Sequence, residues 1–128
     1  MPQIGSIGER LDIILRQGST LGPFIVRLTD SLGVPIDLTG ATIQGQVRKN
    51  ALDAGNPVAT FEIVYIDRAD GKFSFGIPRS VTINIPAGEY QKDEASQYKW
   101  DMELIDSNSR CIPLYYGNFE NFREVTRD

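Results

Sequence analysis

The 128-residue chain contains no histidine and a single cysteine. Without histidine it lacks the commonest general base and metal ligand, and with them every Ser/His and Cys/His nucleophile pair. One cysteine forbids an intrachain disulfide. The strand-like flanks of Cys111, namely Arg110 and Ile112-Pro113-Leu114, point to a buried, inert thiol. Apolar runs are only a few residues long, far short of the roughly 20 that a bilayer-spanning helix needs, so a soluble protein is expected. The amino end has neither the basic start nor the apolar stretch of a signal peptide, which implies synthesis in a cytosol. Basic charge is not clustered either. The 13 Lys and Arg residues are scattered against 17 acids, whereas a phosphate-tracking surface gathers them on one face. Nucleic-acid binding is therefore not expected.

What is present is period-two alternation punctuated by turn residues. Asp30-Ser31-Leu32-Gly33-Val34-Pro35 is turn chemistry, and it leads through Ile36-Asp37-Leu38-Thr39-Gly40 into Ala41 to Arg48. In that segment Ala41, Ile43, Gly45 and Val47 alternate with Thr42, Gln44, Gln46 and Arg48, the pattern of a half-buried strand. The same grammar predicts strands over 10–17, 24–29, 58–66, 72–77, 98–106, 110–116 and 117–126, the last broken or bulged near Gly117. Phe24 to Thr29 is the richest in β-formers and is expected at the centre of a sheet. Asp67-Arg68-Ala69-Asp70-Gly71 predicts a hairpin between the fourth and fifth strands. Residues 78–90, with two prolines and a glycine, read as a crossing between sheets with one helical turn or a short extended piece. Residues 91–97 read as an exposed loop or the tip of a long hairpin. Trp100, the only tryptophan, shares a face with Tyr98, Met102 and Leu104 and is expected to anchor the core.

About eight short strands at roughly ten-residue spacing predict an all-β fold, an antiparallel two-sheet immunoglobulin-like sandwich. With 41% apolar and 23% charged residues, the composition fits one globular domain over 10–128. Residues 1–9 read as an amino-terminal docking arm. Its Ile4 and Ile7 would be wasted in water, and they tuck against their own domain or dock on a neighbouring copy.

Candidate chemistry fails on spacing. Gly5-Ser6-Ile7-Gly8 and Gly18-Ser19-Thr20-Leu21-Gly22 lack the strand-to-helix setting and the Lys-Ser/Thr pair of a phosphate cradle. Asp37-Leu38-Thr39-Gly40 misses the Asp-Thr-Gly spacing of an aspartic protease and occurs once, where that chemistry needs two carboxylates. Asp67 and Asp70 lack the run of alternating oxygen ligands of a calcium loop and suit an Asx turn. Asp93 and Glu94 point opposite ways on a solvated tip, and Asp101 and Glu103 share an outer, solvated face. No catalytic, metal or cofactor residue is assigned, and no enzyme is expected.

Asp30 to Gly33 with Asp37-Leu38-Thr39-Gly40-Ala41, then Asp70-Gly71-Lys72-Phe73, Ile85-Pro86-Ala87-Gly88-Glu89-Tyr90, Tyr98 to Leu104, and finally Gly117 with Glu124-Val125-Thr126-Arg127, carry a resemblance. In this order the chain resembles the immunoglobulin-like β-sandwich domain of tailed-bacteriophage structural proteins, similar to the amino-terminal module of upper baseplate and tail-fibre attachment proteins. It departs from that pattern at 91–97, which lengthens the hairpin before the aromatic strand. The resemblance implies a virion protein of the tail, baseplate or neck, made in the host cytoplasm. It would dock on other virion proteins in several symmetric copies, without nucleic acid, membrane or cofactor. Besides Ile4 and Ile7, the contact candidates are Tyr115, Tyr116, Phe119 and Phe122, which either close the base of the core or place two rings against a partner. The competing reading is a carbohydrate-binding sandwich that uses exposed rings among Tyr90, Tyr98 and Tyr116. A secreted adhesion module is weakened by the missing signal peptide.

Overall fold

The computed structural model describes residues 8–49, 57–85 and 95–122, with backbone alone over 95–97. Its strands are β1 (Glu9–Arg10), β2 (Ile13–Arg16), β3 (Leu21–Arg27), β4 (Thr42–Arg48), β5 (Ala59–Thr60), β6 (Glu62–Asp67), β7 (Lys72–Ile77), β8 (Ala95–Ile105) and β9 (Cys111–Phe122). A single helical turn, α1 (Arg79–Thr82), lies between β7 and β8. The larger sheet has the order β1-β9-β8-β4-β5 with β2 also on β9, and the smaller has the order β3-β7-β6. The protein is an all-β two-sheet sandwich.

Alternation decides which side chains lie between the layers. On β4, Ile43, Gly45 and Val47 are buried while Thr42 and Gln44 are exposed, and on β8 Trp100, Met102 and Leu104 point the same way. From the smaller sheet Phe73, Phe75 and Ile77 of β7 close on them, each at most 3% exposed. Phe61, Phe75, Trp100 and Tyr115 form a connected aromatic cluster with ring centroids 5.3–6.3 Å apart. Each such buried side chain contributes on the order of 2–3 kcal/mol by leaving water.

The turn-rich stretch ahead of β4 closes as its residue types require. The Asp30 carboxylate accepts N–H bonds from Leu32 (2.9 Å) and Val34 (3.0 Å), and Gly33 takes the positive φ of +82°. Asp37 accepts from the Thr39 N–H at 2.9 Å, and Leu38, fully buried, plugs the end of the core. The Arg68 guanidinium lies 3.7 Å from the centre of the Tyr65 ring and donates to the carbonyls of Leu38 (3.0 Å) and Ala41 (2.8 Å). Between β6 and β7 the Asp67 carboxylate accepts from the Asp70 N–H, three residues on rather than the two of an Asx turn, at 3.2 Å, while Asp70 holds Arg27 through two bonds of 2.9 and 3.1 Å. The helical turn is pinned across the sandwich by Thr82, whose hydroxyl donates to the Ser19 carbonyl at 2.7 Å. Gln17 and Asn121 both donate to the Ile85 carbonyl.

Several expectations are corrected. The first predicted strand is two pieces, β1 and β2, and both run parallel to β9, so the larger sheet is mixed rather than purely antiparallel. The fourth is also two pieces, because the chain leaves the larger sheet after β5, buries Phe61 and enters the smaller sheet as β6. Conversely, the described parts of the two strands predicted over 110–116 and 117–126 form one strand, β9 (Cys111–Phe122), running through Gly117. The irregularity falls at Leu114, where Met102 pairs with Tyr115 but Glu103 with Pro113. That one-residue slip reverses the facing of everything before it. Cys111 therefore points outward beside Glu103 and is exposed, not buried. β3, expected at a sheet centre, is an edge strand, and Ile25 on its outer face is 67% exposed. Of the predicted loop at 91–97, residues 95–97 are instead the start of β8, paired with Phe122, Asn121 and Glu120. Residues 86–94 and 123–128 lie outside the described residues, so the rest of that loop and the carboxyl end of the last strand are not placed.

Candidate functional site

The two long sides of the sandwich are built differently. On one side the β5–β6 chain passes directly from sheet to sheet and closes the gap. On the other, β2 borders the larger sheet and β3 the smaller, joined at one end by residues 17–20. Between β2 and β3 lies an apolar cleft of about 400 Å³. Its walls are Leu11 and Ile14 on one side and Phe24 and Val26 on the other, with Phe75 and Tyr115 among the residues lining it. Leu11 and Phe24 are more than two-fifths exposed and Ile14 more than two-thirds, so this is an apolar mouth open to water.

Four contacts fix the β1–β2 wall. Gly117, opposite Trp100, lets the Leu11 backbone lie against β9, since a Cβ there would sit 2.3 Å from the Leu11 carbonyl oxygen. That carbonyl accepts the Trp100 indole N–H at 2.7 Å, and the Leu11 N–H donates to the Tyr116 carbonyl at 2.8 Å. Asp12, at the rim, accepts from the Asn118 N–H at 3.0 Å and from Arg10 at 3.3 Å. The Asn118 N–H, together with Arg10, holds its carboxyl below the usual aspartate range.

The outer face of the larger sheet is polar and internally bonded. Glu103 accepts from Gln44 (2.8 Å) and from the Cys111 thiol (2.9 Å), Arg48 donates to Gln46 (2.9 Å), and Lys99 donates to Asn118. The thiol and amide on Glu103 lower its pKa, and the same carboxylate raises that of Cys111, which withholds the thiolate. Asp101 is pushed up by partial desolvation and by the charge of Glu103. Asp101 and Glu103 thus share an outward face as predicted. The outer face of the smaller sheet is instead apolar at its centre, where Ile25 and Val64 flank Ser74 in one row.

The predicted contact residues separate along β9. Phe119 is fully buried, packed edge-on against Tyr98 with centroids 6.5 Å apart, and Tyr115 is half-buried, stacked on Trp100 and lining the cleft. Tyr116 and Phe122, half-buried, fall on the opposite phase of the strand. Ile4 and Ile7 lie outside the described residues. Of the rings considered for sugar, Tyr98 is 6% exposed, Tyr116 lies among the polar side chains of the larger sheet, and Tyr90 is outside the described residues. The cleft was not anticipated. Its signal was Ile14 occupying the polar phase of Leu11-Asp12-Ile13-Ile14-Leu15-Arg16.

No protein-family model matches the chain, and no curated protein matches it in sequence.

Proposed function

We propose that this chain is a non-enzymatic structural protein of a tailed-bacteriophage virion, a component or adaptor of the tail, baseplate or neck that acts by docking on other virion proteins in a symmetric assembly. The observation that carries the reading is the open apolar cleft between β2 and β3, because exposed apolar surface of that kind marks an interaction site. The topology supports an immunoglobulin-like assignment. Strands β3, β7 and β6 take the places of B, E and D, and β9, β8 and β4 those of G, F and C, with β5 added beside C. Together with the ordered turn motifs from Asp30 to Arg127, this favours the phage sandwich domain. The carbohydrate reading loses support with Tyr98 in the core.

The test is to purify particles of the phage that encodes the chain, assay them by mass spectrometry and label the protein with gold for negative-stain imaging. Labels repeating at one level of the tail, baseplate or neck are expected, and particles devoid of the protein overturn the proposal. Deleting residues 1–7, which precede β1, is expected to leave the sandwich folded and to lower incorporation into particles. Unchanged incorporation would remove the arm from the docking account.

A further inference from the structure

We propose that the cleft between β2 and β3 receives the amino-terminal arm, residues 1–7, of a second copy of this chain, with Ile4 and Ile7 as the inserted side chains. The inference rests on the docking reading above and names its partner.

The cleft needs an apolar occupant. Leu11, Ile14, Phe24 and Val26 present two hydrocarbon walls, while Asp12 at the rim is already bonded to the Asn118 N–H and to Arg10. Residues 1–7 carry Ile4 and Ile7 with no charged side chain between them. Spaced three apart, the two isoleucines fall on one side of a polyproline-II-like segment, and Gly5 and Ser6 between them add little bulk.

The exit of the arm selects a second copy over the same one. Gly8 is pressed onto β9, where a Cβ would meet the Leu114 carbonyl carbon and oxygen at 2.9 Å, and its φ is +89°. From Glu9 opposite Tyr115 to Arg16 opposite Phe122 the chain advances in parallel along β9. The upstream end of β1 therefore points toward the end of the sandwich where β9 begins, away from Ile14. Seven residues span at most about 25 Å, so an arm continuing in that direction would meet a neighbouring copy, whereas entering its own cleft would require the chain to double back. Arm into cleft is a heterologous contact, which closes into a ring or extends as a filament. Burial of two isoleucines is offset in part by ordering the arm, so the contact is weak between free molecules and strengthens when copies are held side by side.

The experiment is disulfide trapping in the full chain with Cys111→Ser, Ile4→Cys and Ile14→Cys together, oxidised at high protein concentration and read on non-reducing gels. Circular dichroism confirms that the protein is folded. A ladder of dimers and larger species is expected, at least tenfold above a control carrying Gln44→Cys in place of Ile14→Cys. Adding Phe24→Asp to the opposite wall is expected to lower the ladder about tenfold. Only intrachain-bonded monomer, or no bond above the control, overturns the proposal. Because the assay uses purified protein, a failed ladder with the protein still found in particles removes the arm-in-cleft contact and leaves the virion reading standing.

Discussion

Trp100 shows how much one side chain organises. Its ring packs with Phe61, Phe75 and Tyr115, and its indole N–H is spent on the Leu11 carbonyl, which holds the β1–β2 wall of the cleft on β9. Trp100→Phe keeps an aromatic ring, but it opens a void and leaves that carbonyl without its donor. The expected loss is about 2–3 kcal/mol of unfolding free energy, read by urea denaturation with far-UV circular dichroism, since the variant has no tryptophan to report by fluorescence. An unchanged midpoint would mean that the bond adds nothing to the fold. The core position of this residue was legible from its alternation with charged neighbours. Its bond to a carbonyl 89 positions earlier was not, because nothing in the local pattern says which strand lies across the indole. Cys111 makes the complementary case. Its flanks looked like strand and are strand, yet the slip at Leu114 turned it outward.

At the scale of the element, the first and last strands depend on each other through a glycine. β1 and β2 lie parallel to β9 only because Gly117 leaves room for the Leu11 backbone. Gly117→Ala sets a methyl against main chain that no side-chain rotation can clear, and is expected to cost about 3 kcal/mol or to detach β1 and β2. Gly33→Ala, in a turn with nothing within 4 Å of the added carbon, meets only the positive φ and is expected to cost about 1 kcal/mol. Chemical denaturation measures the difference, and amide exchange shows whether protection is lost first at Ile13 to Arg16. The sequence located Gly117 as a special position and assigned it a break. In the structure the strand runs straight through and the glycine admits a neighbour.

At the scale of the molecule, a set of carboxylates ties stability to pH in one direction. Asp12 is lowered by the Asn118 N–H, Asp37 by the Thr39 hydroxyl, Asp70 by Arg27, Asp106 by the Arg110 N–H and Glu103 by the Cys111 thiol. A group whose folded pKa lies below its unfolded one stabilises the fold at pH above the unfolded value, and that contribution disappears as pH falls through the folded value. Among the described carboxylates with a shift, Asp101, raised by desolvation and by Glu103, acts in the opposite sense, alone against five. The melting temperature is therefore expected to hold from neutral pH down to about 4.5 and to fall below about pH 4, where unfolded-state carboxyls begin to take up protons. Melts followed by circular dichroism between acid and neutral pH check this, and a flat profile to the acid limit would show that these turn and rim carboxylates do not stabilise the fold.

Read along the chain, period-two patterning with Asp, Gly and Pro punctuation determined that this protein is β throughout, which residues face inward on β4, β7 and β8, and where the Asp30 and Asp67 turns close. Those are decided within a few residues by backbone sterics and local hydrogen bonds, so they are written locally. Tertiary structure alone decided that β3 lies at an edge, that β5 and β6 divide between sheets at Phe61, that the chain start runs parallel to its last strand, and hence that an apolar cleft opens between β2 and β3. These depend on which distant strand wins a given edge. That competition is settled by packing between residues some 90 to 110 positions apart, such as Leu11 against Trp100 and Asp12 against Asn118, and local alternation carries no trace of it.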